Sequence, residues 1–204
     1  MDLSMAVMIL ASGLIHMYAG VLLFSGRDRR NPWQSKDNVI ANTPDKNIFA
    51  SGILCLLAGS FWMMPLYYLA KLPTFTGMVA FISFALFVLS CTVFHVAAGF
   101  ALYAYKKDQA GDNPTQNIIK IYALVYIFWA AVYSLSMMSL GLSGVLDMNA
   151  FHYLTLPLPA ILIIQLGLGV KLRKTAYFTD IAGTLAVMVS LLSTVNIMVS
   201  NQIQ

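Results

Sequence analysis

The chain has 204 residues, of which 59% are hydrophobic and only 10% charged, with a net charge of +4 and a mean hydropathy of +0.76. Soluble domains carry about 25% charged residues, so this composition excludes a fold covered by its own polar surface and makes lipid the expected solvent. The basic excess is confined to loops; it is not a nucleic-acid footprint but a report of membrane orientation.

Six apolar segments follow one another, at residues 3–25, 48–70, 77–105, 118–142, 156–170 (151–170 with its lead-in) and 177–200. A span needs about 20 apolar residues. This predicts one all-α domain, an integral membrane bundle of six transmembrane helices. The first segment has no basic region ahead of it and stays apolar to Phe24, which predicts a first transmembrane helix rather than a cleaved signal. The loop 26–47 is the longest polar piece. Its Asn31-Pro32, Thr43-Pro44 and Trp33 read as turn prolines and an interfacial ring in a solvated loop.

The fifth segment is short and opens on Leu156-Pro157-Leu158-Pro159, recruiting residues 151–155 as a lead-in. Prolines there remove backbone donors, so the outer end of this helix is expected to be bent or broken. In the sixth segment Asp180 stands at the helix start beside Arg173 and Lys174, where an acid suits the positive end of the helix dipole.

Arg27, Arg29, Arg30, Lys36 and Lys46 lie between segments 1 and 2, Lys106, Lys107 and Lys120 around the connection of 3 to 4, and Lys171, Arg173 and Lys174 between 5 and 6. Lys71 alone lies on the other side. The positive-inside rule then makes 26–47 a cytoplasmic loop and both termini extracytoplasmic.

Segment 3 carries one ionisable residue deep inside, His95, and segment 1 carries His16 in the matching place. Aligning the two, Ala19 matches Ala98, Gly20 matches Gly99, Leu23 matches Leu102, and Arg27 matches Lys106. Each histidine precedes its first cytoplasmic basic residue by the same interval, which at about 1.5 Å per residue sets both imidazoles roughly 16 Å from that boundary. Ser12, His16 and Gly20 share one helix face; Cys91, His95, Gly99 and Tyr103 share another. An ionisable group in lipid is costly, so each histidine is expected to face protein, water or a ligand.

Three readings compete for this pair. The histidines can be neutral cross-helix hydrogen-bond partners that only hold the bundle together. They can line a polar cavity for a small or lipophilic ligand, with Gly20 and Gly99 making room, Tyr126, Trp129 and Tyr133 on the fourth segment adding a wall, and Ser190 joining from the sixth. They can also ligate a b-type haem from both sides, with Arg27 or Lys106 at the propionates. A zinc site lacks a third or fourth ligand at that depth. Cys55 lies about 11 Å and Cys91 about 22 Å from the cytoplasmic surface, an offset that argues against a disulfide. His152, near Asp147 and Asn149, reads as an interfacial histidine.

Catalytic patterns are absent. All 8 acids are Asp, there is no Glu, and no His-Glu-x-x-His, Gly-x-Ser-x-Gly or P-loop occurs. Cys91 and His95 stand one turn apart, but a thiol in apolar surroundings is normally inert. The chain therefore leans away from an enzyme.

Three stretches, Ala50–Ala70, Phe94–Tyr103 and the run from Thr155 to Ser200 (TLPLPAILIIQLGLGV, then DIAGTLAVMVSLLSTVNIMVS), resemble a family of small bacterial polytopic membrane proteins, a domain of unknown function. The resemblance implies a bacterial inner-membrane protein and carries no activity with it. The expected function is the binding or translocation of a small or lipophilic ligand near His16 and His95. A bis-histidine haem redox protein and a structural or assembly subunit are the alternatives, and self-association into a homo-oligomer is compatible with the chain.

Overall fold

A computed structural model describes residues 3–26, 42–108, 115–167, 176–201 and 203. Eight helices are described: α1 Leu3–Leu23, α2 Asp45–Trp62, α3 Leu66–Leu69, α4 Phe75–Asp108, α5 Thr115–Leu142, α6 Ala150–Thr155, α7 Pro157–Gly167 and α8 Ala176–Ser200. No strand occurs among the described residues. Among the described residues five stretches are long and apolar enough to cross a membrane: Leu3–Leu23, Asp45–Leu69, Phe75–Ala101, Ile121–Leu142 and Ile181–Ser200. The fifth apolar segment instead divides into α6 and α7, the longer of which has 11 residues.

The breaks have local causes. Pro65 has no N–H for the Phe61 carbonyl, and Met64 N–H donates to that carbonyl instead at 3.1 Å. Leu66 N–H reaches Met63 O at 3.0 Å, so the chain tightens through a 3₁₀-like turn before resuming as α3. Leu156 is extended between α6 and α7 (φ −60°, ψ 152°), and Pro157 opens α7 at a position where a missing N–H costs nothing. The bend predicted from Leu-Pro-Leu-Pro is present. Ser134 on α5 compensates it, its hydroxyl accepting the Leu158 N–H at 3.0 Å. Beyond α5 the chain reverses at Gly144, whose φ of +74° favours glycine.

The long helices close into a ring in which α2 packs on α1 and α4, α5 on α4 and α7, and α8 on α7 and α1. Ile9, Trp62, Phe84, Tyr133, Met137 and Leu191 are among the side chains buried inside it. Outward positions are apolar too, including Leu14, Ile53, Ile82, Leu124 and Leu162. That inside-and-outside apolarity is what a membrane solvent calls for. α8 is the most enclosed span, about two-thirds buried (67%) against 28% to 44% for the others.

Two clamps fix the register of neighbours. Thr43 Oγ1 donates to Leu23 O at 2.9 Å and accepts the Gly26 N–H at 3.1 Å, tying the end of α1 to the start of α2. At the opposite end Asn201 accepts the Asp147 N–H at 2.7 Å and donates to Asp147 O at 3.2 Å and to Ile197 O at 2.8 Å.

Arg27, Arg29, Arg30, Trp33, Lys36, Lys171, Arg173 and Lys174 lie outside the described residues. The side chains of Ala98, Leu102, Lys106, Lys107, Lys120 and Asp180 are likewise outside what is described.

Candidate functional site

His16 is the fourteenth residue of α1 and faces inward with Ser12 and Gly20, as their four-residue spacing requires. His95 comes from α4, on the far side of α2. The two helices make little contact with each other, yet their imidazoles meet edge to face, with ring centroids 4.6 Å apart and planes at 74°. The indole of Trp62 stacks on His16 at 4.5 Å and 25°. All three side chains are sealed from solvent, at 1%, 1% and 0% exposure.

α2 supplies a third donor. Cys55 is fully buried, and its sulfur and one ring nitrogen from each histidine all lie within 4.8 Å of one another. This corrects the expectation that no further ligand stands at that depth. The reason is where α2 begins. Counting from the apolar stretch at Ile48 sets Cys55 about 11 Å in, but the helix starts at Asp45, which moves Cys55 to about 15 Å, level with the histidines. Pro44 ahead of the helix and Asp45 in its first turn are the local reasons for the earlier start.

Close helix contact brings α2 and α4 together. A Cβ on Gly59 would overlap the side chain of Thr92, and one on Gly52 would touch Val96 at 3.8 Å. Gly99 faces Ile48, where a Cβ would come within 3.1 Å of Cγ2. Gly99 thus serves close packing, at the edge of an open apolar groove lined by Phe49, Gly52, Ile53 and Phe100. Gly20 is buried on α1 below His16.

The aromatic residues predicted on α5 make contacts of their own. The Tyr133 hydroxyl is 2.8 Å from Thr194 Oγ1 and its ring lies 5.1 Å from Phe84. Tyr126 packs on Phe87, and Trp129 on Phe128. Ser190 donates to Ala186 O in its own helix at 2.7 Å.

Hydrogen bonding around the pair is incomplete. The buried atoms His16 Nδ1, Trp62 Nε1 and Ser51 Oγ have no partner among the described residues. Ser51 is one turn from Cys55 on the buried face of α2. Unsatisfied buried groups normally signal strain or a role in binding. The spacing Ser51, Cys55, Ala58, Trp62 was the available sequence signal for this face, but serine, alanine and tryptophan at helical intervals read first as packing.

A b-type haem does not fit as the pair stands. Bis-histidine ligation places the imidazoles on opposite faces of the macrocycle with iron between them, whereas these rings touch directly. The donor set suits a single ion instead: two imidazoles and one thiol.

His152 is not part of this site. Its Nδ1 accepts the Asn149 N–H at 3.3 Å, Asn149 Oδ1 accepts the His152 N–H at 3.1 Å, and its Nε2 is 3.2 Å from the Asn196 amide. Both ring nitrogens are engaged in capping α6 and joining it to α8.

No family model, no curated protein and no solved structure matches this chain.

Proposed function

We propose that this chain is an integral membrane protein that binds a small ligand at the buried His16–His95 pair. The observation that supports it is a ring nitrogen of His16, buried and without a partner among the described residues, beside a second histidine and a cysteine. A pair kept only to hold helices together would be expected to satisfy its donors and acceptors, because leaving one unmade costs about 1–3 kcal/mol. The retained cost favours a binding role over a purely structural one.

In this reading the short helices α6 and α7 act together as a sixth, broken pass. Both termini face out of the cytoplasm, as the distribution of Lys and Arg requires. The resemblance noted above assigns the protein to the inner membrane of a bacterium. Ligand capture, with or without translocation, is the activity.

Thermal unfolding of the detergent-purified protein against a panel of metal ions and small lipophilic compounds tests this. At least one ligand should raise the midpoint of the wild type and leave His16→Phe unmoved. A panel that shifts both proteins equally, or neither, overturns the site.

A further inference from the structure

Resting on the reading of the His16–His95 pair as a binding site, we propose that its ligand is copper(I), held by His16, Cys55 and His95. The three donors come from three different helices, α1, α2 and α4, and are fully buried. Their ligating atoms already lie within 4.8 Å of one another. Metal–nitrogen bonds of about 2.0–2.1 Å and a metal–sulfur bond of about 2.3 Å set donor–donor edges of roughly 3.5–3.8 Å in a three-coordinate site. Closing the remaining distance, at most about 1.3 Å on those bond lengths, lies within side-chain rotation.

Donor chemistry and charge select the ion. Calcium and magnesium require oxygen ligands, and the cluster contains none. Imidazole and thiolate suit zinc and copper. Two neutral imidazoles and one thiolate neutralise a monovalent ion completely, whereas a divalent ion would leave one net positive charge in the span. No carboxylate belongs to the cluster to cancel it, and an uncompensated charge in the bilayer interior is expensive. Zinc also lacks its usual fourth protein ligand here.

Two further observations point to the same place. Ser51 Oγ, one turn from Cys55, and Trp62 Nε1, on the ring that covers His16, are buried polar atoms without partners among the described residues. In addition, Gly59 holds α2 against the Thr92 side chain on α4, which keeps Cys55 on the helix pair that carries His95. On binding, the Cys55 thiol loses its proton as the sulfur–copper bond forms. One proton passes to the buffer per ion, and copper stays in the +1 state, so no oxidant or reductant is consumed.

The test is an anaerobic titration of the purified full chain with copper(I), competed by a chromophoric copper(I) chelator. The expected stoichiometry is one ion per chain. Cys55→Ser, close in shape to the parent, and His95→Gln should each weaken binding roughly 100-fold or more, since even outer-shell losses at metal sites cost 10–100-fold. Silver(I) should compete, and zinc(II) should not. X-ray absorption on the wild-type complex should show two nitrogen and one sulfur neighbours, which needs no variant to fold. Equal copper(I) affinity in wild type and Cys55→Ser overturns the assignment, as does a copper shell without sulfur. Tighter zinc(II) than copper(I) binding overturns the choice of ion. If copper(I) is not retained while an organic ligand stabilises the protein through His16, the metal assignment fails and the binding site stands. If neither binds, both fail.

Discussion

The imidazole of His16 packs against two rings, stacked with Trp62 at 4.5 Å and edge to face with His95 at 4.6 Å. Its volume is therefore needed while its nitrogen is not satisfied. His16→Phe keeps an aromatic ring of similar size in that place and removes the buried nitrogen. Leaving a buried polar atom unpaired costs about 1–3 kcal/mol, so the variant should unfold at or above the wild-type temperature while losing ligand. His16→Ala should instead lower stability by roughly 2–4 kcal/mol through the cavity it leaves. A His16→Phe protein that is markedly less stable than wild type would mean that the nitrogen is satisfied and the pair is structural.

Gly59 lies against the Thr92 side chain at a close helix approach next to the site. Gly59→Ala places a methyl group inside the Thr92 side chain and should cost about 1–3 kcal/mol by overpacking. Because the clash is with one side chain, Thr92→Ala in the same protein should restore part of the loss, a non-additivity that marks direct contact. Fully additive losses in a thermal-unfolding cycle would place the two residues apart. Ligand affinity should fall in the single variant with stability, since Cys55 and His95 are carried by the two helices being pushed apart.

Tyr133 separates the bundle core from the site. Its hydroxyl meets Thr194 at 2.8 Å, and Thr194 also donates to Ser190 O at 2.9 Å. Tyr133→Phe removes one cross-helix hydrogen bond, worth about 0.6 kcal/mol on average and up to about 1.7 kcal/mol in membrane bundles. Ligand affinity should be unchanged. A Tyr133→Phe protein with normal stability and weakened binding would return Tyr133 to the cavity wall where sequence spacing first put it.

Periodicity and charge made the class of fold legible, and they located His16 and His95 on inward faces at one depth. What they missed has physical reasons. Cys55 was counted from the first apolar residue, but the helix begins earlier at Asp45, which changes its depth by about one turn. Trp62 and Ser51 sit among apolar neighbours, and in a membrane helix apolar periodicity cannot tell the lipid face from the core, because both are apolar. Tyr126 and Tyr133 of α5 meet Phe87 and Phe84 of α4, and Trp129 meets its own neighbour Phe128. Pairings between helices are tertiary information that no single-segment pattern carries.

His152 shows how a histidine with both nitrogens engaged behaves differently from His16. A backbone N–H can only donate, so His152 Nδ1, facing Asn149 N–H at 3.3 Å, must present its lone pair. In the neutral ring Nε2 then carries the proton, which the Asn196 amide, whose nitrogen stands 3.2 Å away, accepts on its oxygen once the amide is flipped. Asn149→Ala should remove the cap and cost about 1 kcal/mol. His152→Ala should cost more, because it also breaks the link from α6 to α8. Neither should affect ligand binding, which a parallel titration checks.

The orientation of the bundle can be read from two exposed positions at opposite ends of its helices. Asn42 lies just ahead of α2, at the end where Thr43 joins α1, and Ser143 lies just beyond α5, at the end where Asn201 clamps Asp147. With both termini outside, Ser143 faces the exterior and Asn42 the cytoplasm. In a background where Cys55 and Cys91 are replaced by Ser, Ser143→Cys should react with a membrane-impermeant maleimide in intact cells, and Asn42→Cys only after lysis. Labelling at Asn42→Cys alone would invert the bundle and put the basic loops outside. Labelling of both in intact cells would mean that one helix between them does not cross.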